Sequence, residues 1–174
     1  MTTRLRLTSA ACALILGATP YVAAAQEGRP AAPARPPQMI DLATARKAVA
    51  AAEAAAVALK GNVAITVMDA NGDLVYLQRM DTASPRAVTS SMGHARAALL
   101  LGVSDIQAYD AMKAGKPIPV MLSAMPQGNW EITIEPGGIP IVKDGKIVGA
   151  IGVGGIASLD DEKVAQAGVD ALSR

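Results

Sequence analysis

The feature that most constrains this chain is a glycine-dense strand that follows a tight hairpin near the C-terminus. Residues 136–155 read PGGIPIVKDGKIVGAIGVGG. Asp144-Gly145 between two β-branched runs predicts a two-residue turn, because both residues tolerate a positive φ. The later glycines, which include Gly152 and Gly154, remove side chains from the second strand, and this weakens a strand unless a helix, another backbone or a ligand comes close. The fold must bring one of these against it.

Several familiar kinds of site are excluded by the same residues and by composition. The glycines follow the order G-x-x-G-x-G-G and end a hairpin, so they match neither a dinucleotide fingerprint nor a P-loop. The chain has one histidine and one cysteine, Cys12, which argues against a structural zinc site or a Ser-His-Asp array, and we assign no catalytic residue. A near-neutral charge balance offers no footprint for nucleic acid.

The first 38 residues predict export and a tether. Residues 1–25 carry Arg4 and Arg6, an apolar stretch and a small-residue end at Ala25, as in a secretory signal peptide. We therefore expect a periplasmic or secreted protein cleaved near Ala25, with no cysteine in the mature chain. Residues 26–38 contain four prolines and no apolar periodicity, which predicts a disordered tether. Residues 39–174 then form a single domain, and no later stretch is apolar enough to span a bilayer.

Within that domain, helical and strand patterns alternate. A helix is predicted over residues 42–59 with its left-handed C-terminal residue at Gly61, and a hairpin over 63–80 turns at Asn71-Gly72. Two further helices are predicted over 84–101 and 104–113, and a last helix begins near residue 160. Alternation over 129–135 predicts an additional strand before the closing hairpin. The expected fold is α/β, with a five-stranded antiparallel sheet flanked by helices.

Two ordered motifs carry a family resemblance that extends over residues 40–172. The segment VAITVMDANGDLV followed by QRMD resembles the first signature of the GlcG/HbpS family, also called haem-degrading or DUF336 domains. PGGIPI and GKIVGAIGV resemble its second signature. The resemblance implies a profilin-like α/β/α arrangement, assembly into homo-oligomers such as hexamers to octamers, and an association with haem or another tetrapyrrole.

His94 is the residue on which a haem site most depends in this sequence. It lies in the second predicted helix, with Ser90 and Ala98 one turn away on either side, so small side chains leave room beside it. Imidazole is a usual ligand of haem iron, which makes His94 the candidate axial and metal ligand. The alternative is a histidine that only hydrogen-bonds. The family more often has a lysine at this helical position, so the ligand role does not transfer directly.

Other candidates for the ligand site surround the two motifs. Arg79 could bind a propionate or another carboxylate, or could simply pair with a neighbouring acid. The methionines after the tether are expected to fill the core, with Met121 and Met125 in a Pro-rich loop as the exceptions. Tyr109 and Tyr76 could supply phenolates, although packing is expected for Tyr76. The glycines expected to line the ligand are Gly137, Gly138, Gly152 and Gly154.

Three functions remain open from the sequence. The first is an exported haem- or tetrapyrrole-binding protein that stores or senses its ligand, as the resemblance implies. The second is an enzyme that degrades haem or acts on a small hydroxy acid. The third is an oligomeric scaffold without a small ligand. The scarcity of acid-base groups favours binding over catalysis.

Overall fold

The computed structural model describes residues 39–118 and 131–173. Within them lie four α-helices and four strands in a mixed order. The elements are α1 (Leu42–Ala58), β1 (Ala64–Asp69), β2 (Leu74–Arg79), α2 (Pro85–Leu101), α3 (Asp105–Lys113), β3 (Gly138–Lys143), β4 (Lys146–Gly154) and α4 (Ser158–Asp170), followed by a 3-10 turn at Ala171–Ser173. None of the helices in these ranges is long and apolar enough to cross a membrane. The predicted signal peptide and tether lie outside the described residues.

Local capping explains where the helices begin and end. The carboxylate of Asp41 accepts a hydrogen bond from the Thr44 N–H at 2.7 Å, and Ser84 caps α2 in the same way. Gly102 ends α2 with a φ of 68°. After α1 the left-handed residue is Lys60, with a φ of 56°, so the prediction of Gly61 for that role was wrong. A Cβ at Gly61 would instead approach Ile156 to 3.0 Å, so packing explains this glycine.

The four strands form one antiparallel sheet in the order β2-β1-β4-β3. Both predicted hairpins are present, and Asp144 and Gly145 have φ values of 51° and 73°, as the tight turn requires. The predicted fifth strand is not confirmed, because residues 131–135 are irregular. This segment lies on α2, where the Thr133 N–H donates to the Gly93 carbonyl at 3.2 Å. Alternation alone could not show that its neighbour is a helix.

Helices cover both faces of the sheet. On one face, α1 and α4 enclose a core of branched aliphatic side chains that includes Ile65, Val67, Ile151 and Val153, each fully buried. On the other face, α2 packs over Met68 and the central part of β4. The small residues of α1 contact the sheet and α4 inside the same chain. A second subunit is therefore not needed to bury them, and a homo-oligomer stays a prediction.

The partner of the glycine-dense strand is α2. A Cβ at Gly152 would collide with the carbonyl oxygen of Ser91 and the backbone of Ala95. A Cβ at Gly154 would come within 2.7 Å of the Ser90 Cβ. The backbones of β4 and α2 are therefore in close contact. This contact brings the middle of α2, which contains the histidine, next to the start of β3.

Candidate functional site

A buried imidazole and a buried carboxyl group form the chemical centre of the α2 side. His94 on α2 is 2% exposed, and Asp105, the first residue of α3, is fully buried. The Nδ1 atom of His94 lies 2.8 Å from Oδ2 of Asp105. The edge of the ring that carries Nε2 lies against Gly137, where a Cβ would approach Nε2 to 2.9 Å. Both the pairing and the close glycine fix the orientation of the ring.

The protonation of this pair follows from its burial. Burial lowers the pKa of His94 to about 4, although Glu135 and backbone hydrogen bonding act in the opposite direction. Burial also raises the pKa of Asp105 to about 10, and the charge of Glu162 contributes to that increase. Both shifts favour the uncharged forms of the two groups, in which the carboxyl O–H donates to Nδ1. In that form the proton of the imidazole is on Nε2.

A second buried carboxyl group completes the cluster. Glu162 on α4 accepts a hydrogen bond from the Gly137 N–H at 2.6 Å, and burial raises the pKa of Glu162. A Cβ at Gly138 would collide with the His94 carbonyl and Asp105, so this glycine lets β3 start against the cluster. We call His94, Asp105 and Glu162 the buried cluster. It joins α2, α3 and α4 at one end of the sheet.

His94 also borders a small polar cavity of about 240 Å³. Its other walls include Arg86 and Asp161, from the first turns of α2 and α4, and Glu135, which precedes β3. Burial raises the pKa of Asp161 to about 6. Side chains on the described ranges provide no group of three His, Cys, Asp or Glu residues that could hold a metal ion. The buried cluster therefore offers one imidazole, already paired, and no preformed metal site within those ranges.

The remaining predicted residues lie in different places. Arg79 lies at the exposed end of β2, where it is opposite Ala64 of β1. Ala64 is in turn opposite Gly154 of β4. Strand β1 therefore separates Arg79 from the glycine-dense strand. Arg79 lines a shallow cavity that does not include His94. Gly152 and Gly154 face α2, which fills the space that the sequence left for a ligand. Met121 and Met125 lie outside the described residues.

The tyrosines and Asp69 have contacts that favour local structural roles. Tyr76 packs partly on the hydrophobic core beneath Arg46, whose guanidinium carbon is 5.8 Å from the ring centre. Tyr109 lies on α3 beside Lys113 and borders a separate surface cavity. The Asp69 carboxylate accepts hydrogen bonds from the N–H groups of Asn71 and Asp73 at the first hairpin turn. These last contacts agree with the capping role expected of an aspartate before a turn.

A wider groove lies on the opposite side of the sheet. It has a volume of about 400 Å³ between the first turn of α1, the β3–β4 hairpin and the C-terminal end of α4. Its apolar lining includes Ile40, Ile141, Val148, Val169 and Leu172, and its polar lining includes Asp41, Thr44, Lys47 and Lys143. We call it the α1 groove. Sequence reasoning missed it because its walls come from both ends of the domain and from the hairpin, and no local pattern links them.

A family model described as "Haem degrading protein HbpS-like" matches residues 40–170. The chain belongs to the HbpS-like family. This confirms the resemblance seen in the two sequence motifs.

Two relatives are similar to this HbpS-like chain in sequence, and one solved structure is similar to it in fold. An uncharacterized 15.0 kDa protein from Citrobacter freundii, from the dhaT-dhaS intergenic region, is 31% identical over 77% of this chain and 92% of its own length. Protein GlcG of Escherichia coli K12 is 35% identical over 53% of this chain and 63% of its own length. A double mutant of HbpS from Streptomyces reticuli superposes with a TM-score of 0.65 and 28% identity, covering 90% of this chain and 99% of that one.

The cavity at His94 and the α1 groove differ in how well they suit a haem. Pockets for ligands of drug size have volumes of about 300–1,000 Å³ and mostly apolar walls. The cavity beside His94 is smaller than this and polar, and an iron bond at Nε2 would also displace the proton held there. The α1 groove has a volume in this range and a mixed lining of aliphatic and polar side chains. Ligation by His94 nevertheless stays a prediction.

Proposed function

We propose that this protein is an exported haem- or tetrapyrrole-binding protein that stores or senses its ligand. The observation that carries the proposal is membership of the HbpS-like family, whose description refers to haem, over residues 40–170. The α1 groove supports it, because its volume and its mixture of aliphatic and lysine side chains suit a large apolar ring that carries carboxylates. Haem would supply an iron centre there for ligand or redox chemistry.

Within this proposal the chain's own residues bind and orient the ligand. The aliphatic wall of the α1 groove would exclude water from the ring, because burying apolar surface contributes about 25 cal/mol per Å². Lys143, which is exposed at the rim, would pair with a carboxylate of the ligand. The buried cluster would hold α2, α3 and α4 together whether or not a ligand is bound.

The test is a titration of the purified mature protein with haemin, followed by visible absorption. We expect a Soret band that saturates at a defined stoichiometry, with a Kd of micromolar or lower. The absence of a saturable band in wild-type protein would refute haem binding. Loss of the band after addition of a reductant in air, where dioxygen is the oxidant that opens the ring, with release of a bile pigment, would indicate the enzymatic alternative, to which the family description refers.

His94→Gln tests the axial-ligand hypothesis in the same titration. A direct iron bond at Nε2 predicts a shifted Soret maximum and about tenfold weaker binding or more. It also predicts release of one proton, so haemin affinity should rise with pH in the wild type and not in the variant. An unchanged maximum, affinity and pH dependence in a folded variant would exclude His94 as a ligand.

The export part of the proposal has an independent test. Residues 1–25 should be removed during secretion, because their charged start and small-residue end form a cleavage signal. Intact mass spectrometry of protein recovered from the periplasm or medium should show a chain beginning near Gln26. Recovery of the full-length chain in those fractions would contradict cleavage at Ala25.

A further inference from the structure

We propose that a cavity between α3 and α4 binds a small organic cation, whose apolar body carries a protonated amine, and that Glu135 holds this amine. The cavity has a volume of about 410 Å³ and lies between Tyr109 and Lys113 of α3 and the first turn of α4. We call it the tyrosine cavity. The inference goes beyond the proposed haem binding and does not depend on it.

The lining of the tyrosine cavity combines apolar side chains with carboxylates. Its apolar side chains are Ile106, Tyr109, Pro136 and Leu159, and its polar side chains are Asp110, Lys113, Glu135 and Ser158. Leu159 is 58% exposed, so a large aliphatic side chain of the lining is in contact with solvent. A ligand that covers Leu159 would remove apolar surface from water, which is favourable.

The ring of Tyr109 already has a cation beside it. The Nζ atom of Lys113 lies 5.2 Å from the centre of the ring, within the distance of about 6 Å at which a ring face attracts a cation. Lys113 is exposed, so its side chain can give way to a ligand amine. Within the described residues, the linings of the α1 groove and of the cavities at His94 and Arg79 contain no aromatic side chain.

The backbone around Glu135 is fixed on both sides. The Thr133 N–H donates to a carbonyl of α2 at 3.2 Å, and the Gly137 N–H donates to Glu162 on α4 at 2.6 Å. The side chain of Glu135 is exposed, and its one hydrogen bond in the described ranges is a long one from the Ser158 hydroxyl, at 3.4 Å. The carboxylate therefore keeps acceptor capacity for an ammonium group.

The charged side chains that line the tyrosine cavity favour a cation. They are two carboxylates, Asp110 and Glu135, and one base, Lys113, and all three are exposed. An aromatic face and carboxylates beside apolar side chains suit an organic ammonium group. An anionic ligand of the same size would have to approach two carboxylates, which lowers its affinity.

The neighbouring charges do not reverse this balance. Arg86 and Asp161 line the neighbouring polar cavity, which Glu135 also borders. On α4, Asp160 pairs with Lys163 at 2.7 Å. Each of these pairs adds one base and one acid. The N-terminus of α4 adds about half a positive charge, which is less than the excess of one carboxylate in the lining.

The experiment uses 2-phenylethylammonium as the probe for the mature wild-type protein, with binding followed by saturation-transfer-difference NMR at low ionic strength. We expect saturable binding with a Kd of about 1 mM or lower, which is reasonable for a ligand of this size. 3-Phenylpropionate has the same ring and chain length with a carboxylate, and it should bind at least about tenfold more weakly. Ethylammonium lacks the ring and should also bind at least about tenfold more weakly.

Three variants locate the binding site. Glu135→Gln removes the anchoring charge and should weaken probe binding by about fivefold or more. Leu159→Ser removes apolar contact and should weaken it by about threefold or more. Lys113→Met removes the cation that competes for the ring, so it should strengthen probe binding by about threefold or more.

Matched controls separate site effects from general changes of the surface. Glu131→Gln neutralises another exposed glutamate of the same segment, and Lys116→Met removes an exposed lysine just after α3. Leu74→Ser changes a leucine that is 50% exposed, comparable to Leu159. None of these residues lines the tyrosine cavity, so each control should bind the probe as the wild type does. Circular dichroism and thermal unfolding should confirm that every variant is folded.

Weaker binding in Glu135→Gln and Leu159→Ser, tighter binding in Lys113→Met and unchanged binding in the controls would support the inference. Equal weakening in Glu131→Gln would show a general attraction to acidic surface and overturn it. The inference also fails if 3-phenylpropionate binds as tightly as the cation, if folded Glu135→Gln binds normally, if Lys113→Met binds more weakly, or if the wild type gives no saturable signal. The haemin titration is a separate measurement, so a failure here leaves the proposed function standing.

Discussion

The buried cluster and the α1 groove differ: the shifted pKa values belong to the first, and a cavity of about 400 Å³ with aliphatic walls belongs to the second. His94, Asp105 and Glu162 have shifted pKa values because helices close over them. The side chains of the α1 groove are mostly ordinary aliphatics and exposed lysines. A shifted pKa often marks a functional site, but structural networks shift pKa values too. Here the cluster is buried and borders a polar cavity of about 240 Å³, whereas the α1 groove has a volume of about 400 Å³, which is in the range of ligand sites.

The largest expected effect on stability is at the contact between β4 and α2. Gly152→Val should destabilise the protein by at least about 3 kcal/mol, because its Cβ would meet the backbone of α2, which cannot move like a side-chain end. Chemical denaturation would measure the loss. Gly145→Ala is the control: nothing lies near its Cβ, and its φ of 73° alone should cost about 1 kcal/mol. Equal effects of the two variants would contradict a tight helix-to-strand contact.

The next effect concerns the partner of His94. Asp105→Ala should cost about 2–3 kcal/mol at pH 7, because it opens a cavity and leaves the buried imidazole without its partner. Asp105→Asn should cost less than about 1 kcal/mol, since its amide N–H can donate to Nδ1 as a protonated carboxyl does. Urea unfolding of both variants would test this. A large loss in the Asn variant would indicate that Asp105 is ionised in the native protein.

The pH dependence of stability follows from the same pair. The pKa of Asp105 is raised in the folded state, so its contribution is complete at low pH and is lost as pH rises towards about 10. The pKa of His94 is lowered to about 4, so its contribution is complete above about 6.5 and is lost as pH falls. Between pH 6.5 and 10 only the loss from Asp105 applies within this pair, and stability should decline.

Unfolding free energies at several pH values would show whether Asp105 causes this decline. Asp105→Asn should flatten the curve between pH 6.5 and 10, because the amide does not titrate. Glu162 lies near the pair on α4 and has a raised pKa, so Glu162→Gln is the companion variant. A decline that persists unchanged in Asp105→Asn would assign it to other groups.

The smallest stability effect is expected in the α1 groove. Lys47→Ala and Lys143→Ala should each change the free energy of unfolding by less than about 0.5 kcal/mol, since exposed charges contribute little. Thermal denaturation of apo protein would test this beside the ligand titrations. A loss of more than 1 kcal/mol in either variant would show that the groove, like the buried cluster, is part of the structural framework.

Much of the fold could be predicted because local signals agreed with one another. Ser84 followed by proline, Gly102 after a helical run, and Asp144-Gly145 between β-branched runs each define a boundary through the conformations they allow. The prediction of a strand over 129–135 is not confirmed, because alternation was the only signal for it. Its alternation is compatible with a strand, but Thr133 pairs with Gly93 on α2, and in the described ranges no strand pairs with this segment. Periodicity does not identify the partner of a segment.

The sequence by itself determined the family, the helices and hairpins, and the requirement that something approach the glycine-dense strand. These features depend on residues close together in the chain or on motifs in a fixed order. Only the tertiary structure decided that α2 is what approaches, that His94 pairs with Asp105, and that both ends of the domain meet the β3–β4 hairpin at the α1 groove. Such contacts join residues far apart in sequence. They are set by the packing of the whole domain, because a side chain's burial, charge state and access depend on neighbours that no local pattern specifies.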